Sequence, residues 1–533
     1  MKRTDFLLVL LLFAGGKTMA QEEISTVLSL DSCRALAVRN NKELRMAGER
    51  LRAATYEHKA ARTKYMPRVS ATGVYMHTSR EISLLSDEQK GAIGNVGTSV
   101  SQMVPLPDGI AGALNGLGGG LVDALRTDTR NMGAAAVMLT QPVYMGGRIA
   151  AYNSITRDLE RIAGHKLELA RQEVAVSVDE TYWQIVSLLG RKRLAEGYLR
   201  LVEKLDGDVQ QMIAAGVATK ADGLSVRVKV NEARVALIQV NNGLALSQMV
   251  LCRLCGLPMD TRVMPEDGLC GGGEVVPDGS EASAGGVSGG ARLADGFKAE
   301  AEALIAACTG GALPVGDDVR TAFSLRPELG ALSLSADIHR NKVRLARAEY
   351  LPKVALTGGW LGSNPSVFNS FERNFKGMWS VGVMVNVPIV TFGERVYKVK
   401  AAKAEAAMAR YELEETREKV ELQVSQCRRR LDEAVERLRT AVKSREEADE
   451  NLRHATLGMR EGVIPVSNVL EAQTAWLAAH AESVTAQVDL RLADVYMRKA
   501  VGVAPSGSPK GGVKGGEANS EDVSKYVPTT ATD

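Results

Sequence analysis

Apolar and small side chains return at alternating steps of three and four along Leu44, Ala47, Leu51, Ala54, His58, Ala61 and Tyr65. That spacing draws one stripe down a helix, a seam for packing against another helix. Small residues dominate it, so neighbouring helices can lie close, and His58 reads as a packing residue on the seam rather than a metal ligand. After Pro67 and Pro352 the period changes to two. Val354, Leu356, Gly358 and Trp360 share one face of a predicted strand, and Val69, Ala71, Gly73 and Tyr75 take the matching places earlier in the chain. A second pair of strands ends at Pro142 and Pro388; in the later one Val381, Val383, Val385 and Val387 oppose Ser380, Gly382, Met384 and Asn386. The valine face suits lipid and the small or polar face suits a water-filled lumen, although a half-buried soluble sheet alternates in the same way.

Two proline-free helical stretches follow the strands, Ile149 to Ala215 and Arg395 to Glu461. At 1.5 Å per residue each reaches about 100 Å, far beyond the needs of a globular core, so each is expected to be a coiled-coil rod or part of a tube wall. Gly216 and Gly462 stop them, a short turn follows, and a returning helix begins near Asp222 and Asn468, whose polar side chains are placed to cap its first turn.

These elements repeat. Tyr65–Gly73 recurs as Tyr350–Gly358, and Glu43-Leu44 falls on Glu328-Leu329 at the same shift of 285 positions. Pro142 matches Pro388, Gly216 matches Gly462 and Gly256 matches Gly502 at a shift of 246, so one longer loop in the first half, between about residues 77 and 130, absorbs the difference. Each half reads helix, strand, loop, strand, very long helix, turn, helix, and Tyr75 and Trp360 occupy equivalent positions where a membrane-interface girdle would place aromatic rings.

Composition trims the options. Lys2 and Arg3, the apolar run from Phe6 to Gly15 and the stop at Thr18-Met19-Ala20 have the layout of a secretory signal over residues 1–20. The run is too short for a membrane anchor, and no cysteine lies near the cleavage point to carry a lipid. Lys and Arg total 66 against 63 Asp and Glu, so no strong field points to nucleic acid. The six cysteines make no disulfide framework, although the periplasm would permit a bridge such as Cys270 to Cys308, and the Cys252–Cys255 pair has no second ligand pair beside it and is read as structural. No phosphate-binding loop, HExxH, nucleophile elbow or His/Cys constellation is present, so no enzyme activity, catalytic residue, metal site or cofactor is expected. No segment beyond the signal approaches a membrane-spanning helix, so any membrane passage must use a closed β-barrel. Residues 21–258 and 320–503 are the two repeats; 259–319 form a Gly-rich linker with a short helix around 293–308, and 504–533 a flexible tail.

Four strands per chain cannot close a barrel, since the smallest transmembrane barrels have about eight. Copies of the chain must supply the rest, and they also bury the long helical seams. The competing reading is a soluble periplasmic coiled-coil adaptor or scaffold with a small sheet.

The duplicated helix–strand–strand–helix order, Arg326-Pro327-Glu328-Leu329, the Tyr-x-Pro strand entries, Pro388 to Gly393 and the turns 215–222 and 461–468 together resemble TolC-type outer-membrane efflux proteins over most of residues 28–503. The resemblance implies an α+β membrane protein whose oligomer forms a transmembrane β-barrel continued by a long α-helical periplasmic barrel. It also implies a homotrimer with a 12-stranded barrel seated in outer-membrane lipid, and a periplasmic tip that meets an adaptor protein and an inner-membrane transporter. By the same resemblance the adaptor-docking residues are Gly216, Val217, Ala218, Thr219, Asp222 and Leu224 in one half, and Gly462, Val463, Pro465, Asn468 and Leu470 in the other. The chain departs from the family at Gly223, Asn468 and Pro465, and the long loop around 77–130 could cap the outer mouth.

Overall fold

The computed structural model describes residues 25–79, 85–104, 108–124, 130–267, 288–310, 315–366 and 374–503. The signal-like leader, the centre of the linker with Cys270, and the tail lie outside these residues. The elements run β1 (Ser25–Leu28), α1 (Leu30–Asn40), α2 (Lys42–Arg62), β2 (Arg68–His77), α3 (Asp87–Gly94), α4 (Val96–Met103), α5 (Asp108–Ala124) and β3 (Asn131–Tyr144). After them come α6 (Arg148–Ala214), α7 (Lys220–Cys255), β4 (Arg262–Pro265), α8 (Ser288–Thr309), α9 (Val315–Leu325) and α10 (Pro327–Arg347). The chain closes with β5 (Lys353–Asn364), β6 (Lys376–Asn386), α11 (Glu394–Arg460) and α12 (Val466–Val501).

The duplication is kept in the lengths of the helices, while the equivalent strands differ, 10 against 12 residues and 14 against 11. α2 and α10 both have 21 residues, α6 and α11 both 67, α7 and α12 both 36. Their starts are related by the two shifts found in the sequence. A pattern set by turn chemistry explains that precision: Pro after the 3-10 turns at Tyr65 and Tyr350 ends one helix, and glycines with positive φ end the others.

The chain divides into two compact units. The unit of Arg50–Gly164 and Ala331–Leu413 holds a four-stranded antiparallel sheet in the order β2-β3-β5-β6. Thr140 pairs with Arg68 on one side and with Thr357 on the other, and Lys353 pairs with Asn386. All four connections to helices leave from one end of this sheet, and both loops leave from the other. The connection between β2 and β3, expected as one long loop, carries α3, α4 and α5. Glycine makes their packing close. A Cβ on Gly97 would lie 2.1 Å from the Ala111 carbonyl oxygen, and one on Gly118 would lie 2.0 Å from that of Ile93. Asn115 fastens α5 to α4 by accepting from the Thr98 amide at 3.2 Å and donating to its hydroxyl at 2.8 Å. His58 sits on its seam as expected, and its Nδ1 lies 2.6 Å from Glu160, whose carboxyl is held below its usual range first by that contact.

Among the described residues the other unit contains two apolar cores. In one, Cys33 and Ala37 of α1 meet Val178, Tyr182 and Ile185 of α6, Leu251, Cys252 and Cys255 of α7, and Val263 of β4. The parallel pair β1–β4, a small element that the sequence pattern did not reveal, lies beside it. Cys252 and Cys255 are fully buried free thiols pushed up in pKa, Cys252 by burial and Cys255 first by contact with Cys33, which suits packing and not redox traffic. Arg34 grips the buried Asp179 through two 2.7 Å hydrogen bonds, pinning α1 to α6. The expectation that no further helix has membrane-spanning character is corrected by α7, which by length and composition is apolar enough to cross a membrane. Only 17% of its most apolar window is buried within the protomer. Val228, Val235, Ile238, Leu246 and Met249 are exposed along it, spaced as a helical face; Arg227, Lys229, Glu232 and Arg234 are confined to its first half, and Asn241, Asn242 and Gln248 sit within the charge-free stretch 235–252. That is the composition of a face to be buried by protein.

Candidate functional site

Two features of the chain are left incomplete in a single copy, the sheet and the ends of the helical hairpins. In the sheet, every residue of the edge strands β2 and β6 is exposed. Val69, Val381, Val383, Val385 and Trp379 lie between 57% and 77% exposed on one face, an apolar surface with nothing over it in the protomer. The opposite face, read from the same register, mixes Ser70, Thr72, Ala134, Ala136, Thr140, Thr357, Ser380 and Gly382 with exposed Val74, Met138, Leu361, Met378 and Met384. Tyr75 and Trp360 stand on the apolar face toward the loop end of the sheet. Tyr75 donates to Asn131 at 3.0 Å, and the Trp360 ring lies 5.8 Å from that of Phe375, over Gly362 and Gly377 where no side chain would fit.

The hairpin ends are the turns α6–α7 and α11–α12, and both stand on one core. Val202, Leu205 and Val209 of α6, Val226 and Val230 of α7, Leu452 and Met459 of α11, and Val466, Val469 and Trp476 of α12 pack together. Trp476 and His480 both reach Asp449, at 2.6 and 2.8 Å, which locks α12 to α11 below the turn. At the first turn the Gly216 amide donates to the Ile213 carbonyl at 3.1 Å and the Val217 amide to the Met212 carbonyl at 2.9 Å. At the second, Gly462 donates to Met459 at 3.0 Å and Val463 to Gly458 at 2.9 Å. This pairing closes a helix only when the glycine adopts a left-handed conformation, here φ +76 and +75.

The restart of each returning helix differs. Thr219 is the N-cap of α7; its hydroxyl accepts from the Asp222 amide at 3.2 Å, and Asp222 accepts from the Thr219 amide at 2.9 Å and hydroxyl at 2.6 Å. Asp222 therefore acts as the reciprocal half of a capping box, and these hydrogen bonds hold its carboxyl below the usual range. Asn468 does not cap α12. Pro465 is the N-cap there, with no side-chain bond, and the Asn468 amide donates to its carbonyl at 3.1 Å. Proline supplies the φ of −70 that the cap needs, so the second turn reaches the same backbone without a polar side chain. Val217, Leu224 and Val463 are 68%, 63% and 76% exposed, Ala218 and Leu470 are half-buried, and Gly223 packs under Ile213 and Gln210. Each turn thus presents a valine outward from a rigid frame. Ile464 folds back onto Gly458, a contact that the sequence pattern did not mark. Among the described residues no group of three or more His, Cys, Asp or Glu side chains could hold a metal ion.

The comparisons agree with this geometry. The family model for outer membrane efflux protein matches residues 34–257 and 319–503. Among solved structures, the outer membrane protein VceC of Vibrio cholerae superposes with a TM-score of 0.64 at 15% identity, over 89% of this chain and 96% of that one. The CmeC outer membrane channel of Campylobacter jejuni gives 0.66 at 13% identity, over 89% and 86%. The open state of the MtrE outer membrane channel of Neisseria gonorrhoeae gives 0.59 at 14%, over 89% and 88%. No protein among curated sequences matches the chain.

Proposed function

The chain belongs to the outer membrane efflux protein family, and on that premise we propose that it works as a homotrimer whose repeats, residues 21–258 and 320–503, each supply one strand pair and one helical hairpin to a shared channel. Its place is the outer membrane, and its role is the channel subunit of an efflux system. The observation that carries the trimeric proposal is the open sheet. β2 and β6 have unpaired edges in the protomer, and an unpaired edge cannot stand in lipid, so the edge of one copy must meet the edge of the next. Three copies supply about twelve strands, within the range of transmembrane barrels that enclose water. Tyr75 and Trp360 then stand on the lipid side.

The two turns dock a periplasmic adaptor, which links the channel to an inner-membrane transporter. Gly216, Thr219, Asp222, Gly462, Pro465 and Asn468 set the backbone of the turns, while Val217, Ala218, Leu224, Val463 and Leu470 offer the apolar contact. A photoreactive residue placed at position 217 or 463 is expected to cross-link one periplasmic helical-hairpin protein in living cells, and the same residue at exposed Leu159 of α6 is not. Adducts that are equally abundant at all three positions would contradict docking at the turns.

A further inference from the structure

The four strands contain no Asp or Glu; their charged residues are Arg68, Lys353 and Lys376. Arg68 and Lys353 are equivalent in the duplication, each the first residue of a strand after a Tyr-x-Pro entry. Register places both on the face of Ser70, Thr72 and Thr140, away from the valines. Arg68 stands opposite Thr140, which stands opposite Thr357, and Lys353, four residues before Thr357 at the start of β5, stands opposite Asn386. Among the described residues neither forms an ion pair, whereas Lys398 on α11 is paired with Glu394 at 2.6 Å and Glu349 at 3.6 Å. The face carrying them is opposite to that of Val69, Val381 and Val383, so closure of the barrel turns it inward.

We propose that Arg68 and Lys353 of neighbouring copies form a cationic ring inside the helix-side end of the barrel and make that stretch of the conduit favour anions over cations. The inference rests on the barrel being closed by copies of the chain. A ring of like charge set in a low-dielectric wall raises the local concentration of counter-ions and repels ions of its own sign, and with no carboxylate on the strands nothing in the wall offsets it. The Debye length is about 10 Å at 0.1 M salt and about 3 Å at 1 M, so the preference belongs to dilute salt and fades in concentrated salt.

The test is single-channel recording of the purified full-length channel in a planar bilayer under a KCl gradient near 0.1 M. Ferrocyanide, a tetravalent anion, is the blocking probe. Arg68→Gln/Lys353→Gln is expected to lower the chloride-to-potassium permeability ratio by at least about two-fold and to weaken ferrocyanide block from the barrel side. The charge-conserving Arg68→Lys/Lys353→Arg is expected to keep both, which separates charge from folding. Conduction with the same permeability ratio and the same block in wild type and the Gln variant overturns the ring while leaving the channel intact. A chain that inserts without conducting overturns the conduit itself, and the ring with it.

Discussion

Asp222 shows how a single carboxylate sets a turn. The Thr219 hydroxyl and amide hold its pKa below that of an unfolded aspartate, so its contribution is complete above the unfolded value and is lost as pH falls through the folded one. Asp222→Ala is therefore expected to melt below wild type at pH 7, with the gap narrowing below about pH 4 in thermal unfolding of the detergent-purified protein. Gly216 and Gly462 carry a different constraint. Both have a left-handed backbone with open space around the missing Cβ, so Gly216→Val or Gly462→Val costs about 1–2 kcal/mol from conformation alone, measured as a lower melting temperature without loss of the core. These glycines were legible in the sequence because the duplication set them in register and a helix stop needs that residue. The capping box was half legible: an acid near the start of α7 was evident, but its reciprocal bond to Thr219 depends on side-chain geometry. At Asn468 the sequence analogy misled, because Pro465 performs the same backbone task by another route.

Among the elements, α1 is held to α6 by a buried ion pair as well as by apolar packing. Asp179 is fully buried and depends on Arg34 for compensation, so Arg34→Ala leaves a charge without its partner and is expected to cost about 3–5 kcal/mol. Replacing both residues with leucine is expected to cost less, a contrast read in a double-mutant cycle by denaturant unfolding. Neither partner could have been paired from sequence, since they lie 145 positions apart with no periodicity joining them. The long helices and the strands were legible because a 3.6-residue or two-residue period survives in the sequence. The helices α3, α4 and α5 were not, because their glycines read as loop residues, and only tertiary packing explains why Gly97 and Gly118 are needed for close approach. β1 and β4 escaped notice because four-residue strands carry too little alternation to register.

At the scale of the whole molecule, what one copy leaves exposed is the strongest pointer to assembly. The apolar face of the sheet, its two free edges and the exposed side of α7 have no cover within the protomer, and each is a surface that a second copy can bury. Val235→Asp/Ile238→Asp on α7 is expected to shift the purified protein from trimer towards monomer in size-exclusion chromatography, while leaving secondary structure in circular dichroism unchanged. The need for other copies was visible in the sequence, which supplies four strands to a barrel that needs more. The number of copies was not, because stoichiometry depends on strand tilt and on the curvature of packed helices, neither of which hydrophobic periodicity encodes. Native mass measurement of the detergent-extracted outer-membrane fraction therefore tests the central claim most directly. A species at three times the mass of the processed chain, extracted only by detergent, is the result this account predicts; a monomer released by a salt wash would contradict it.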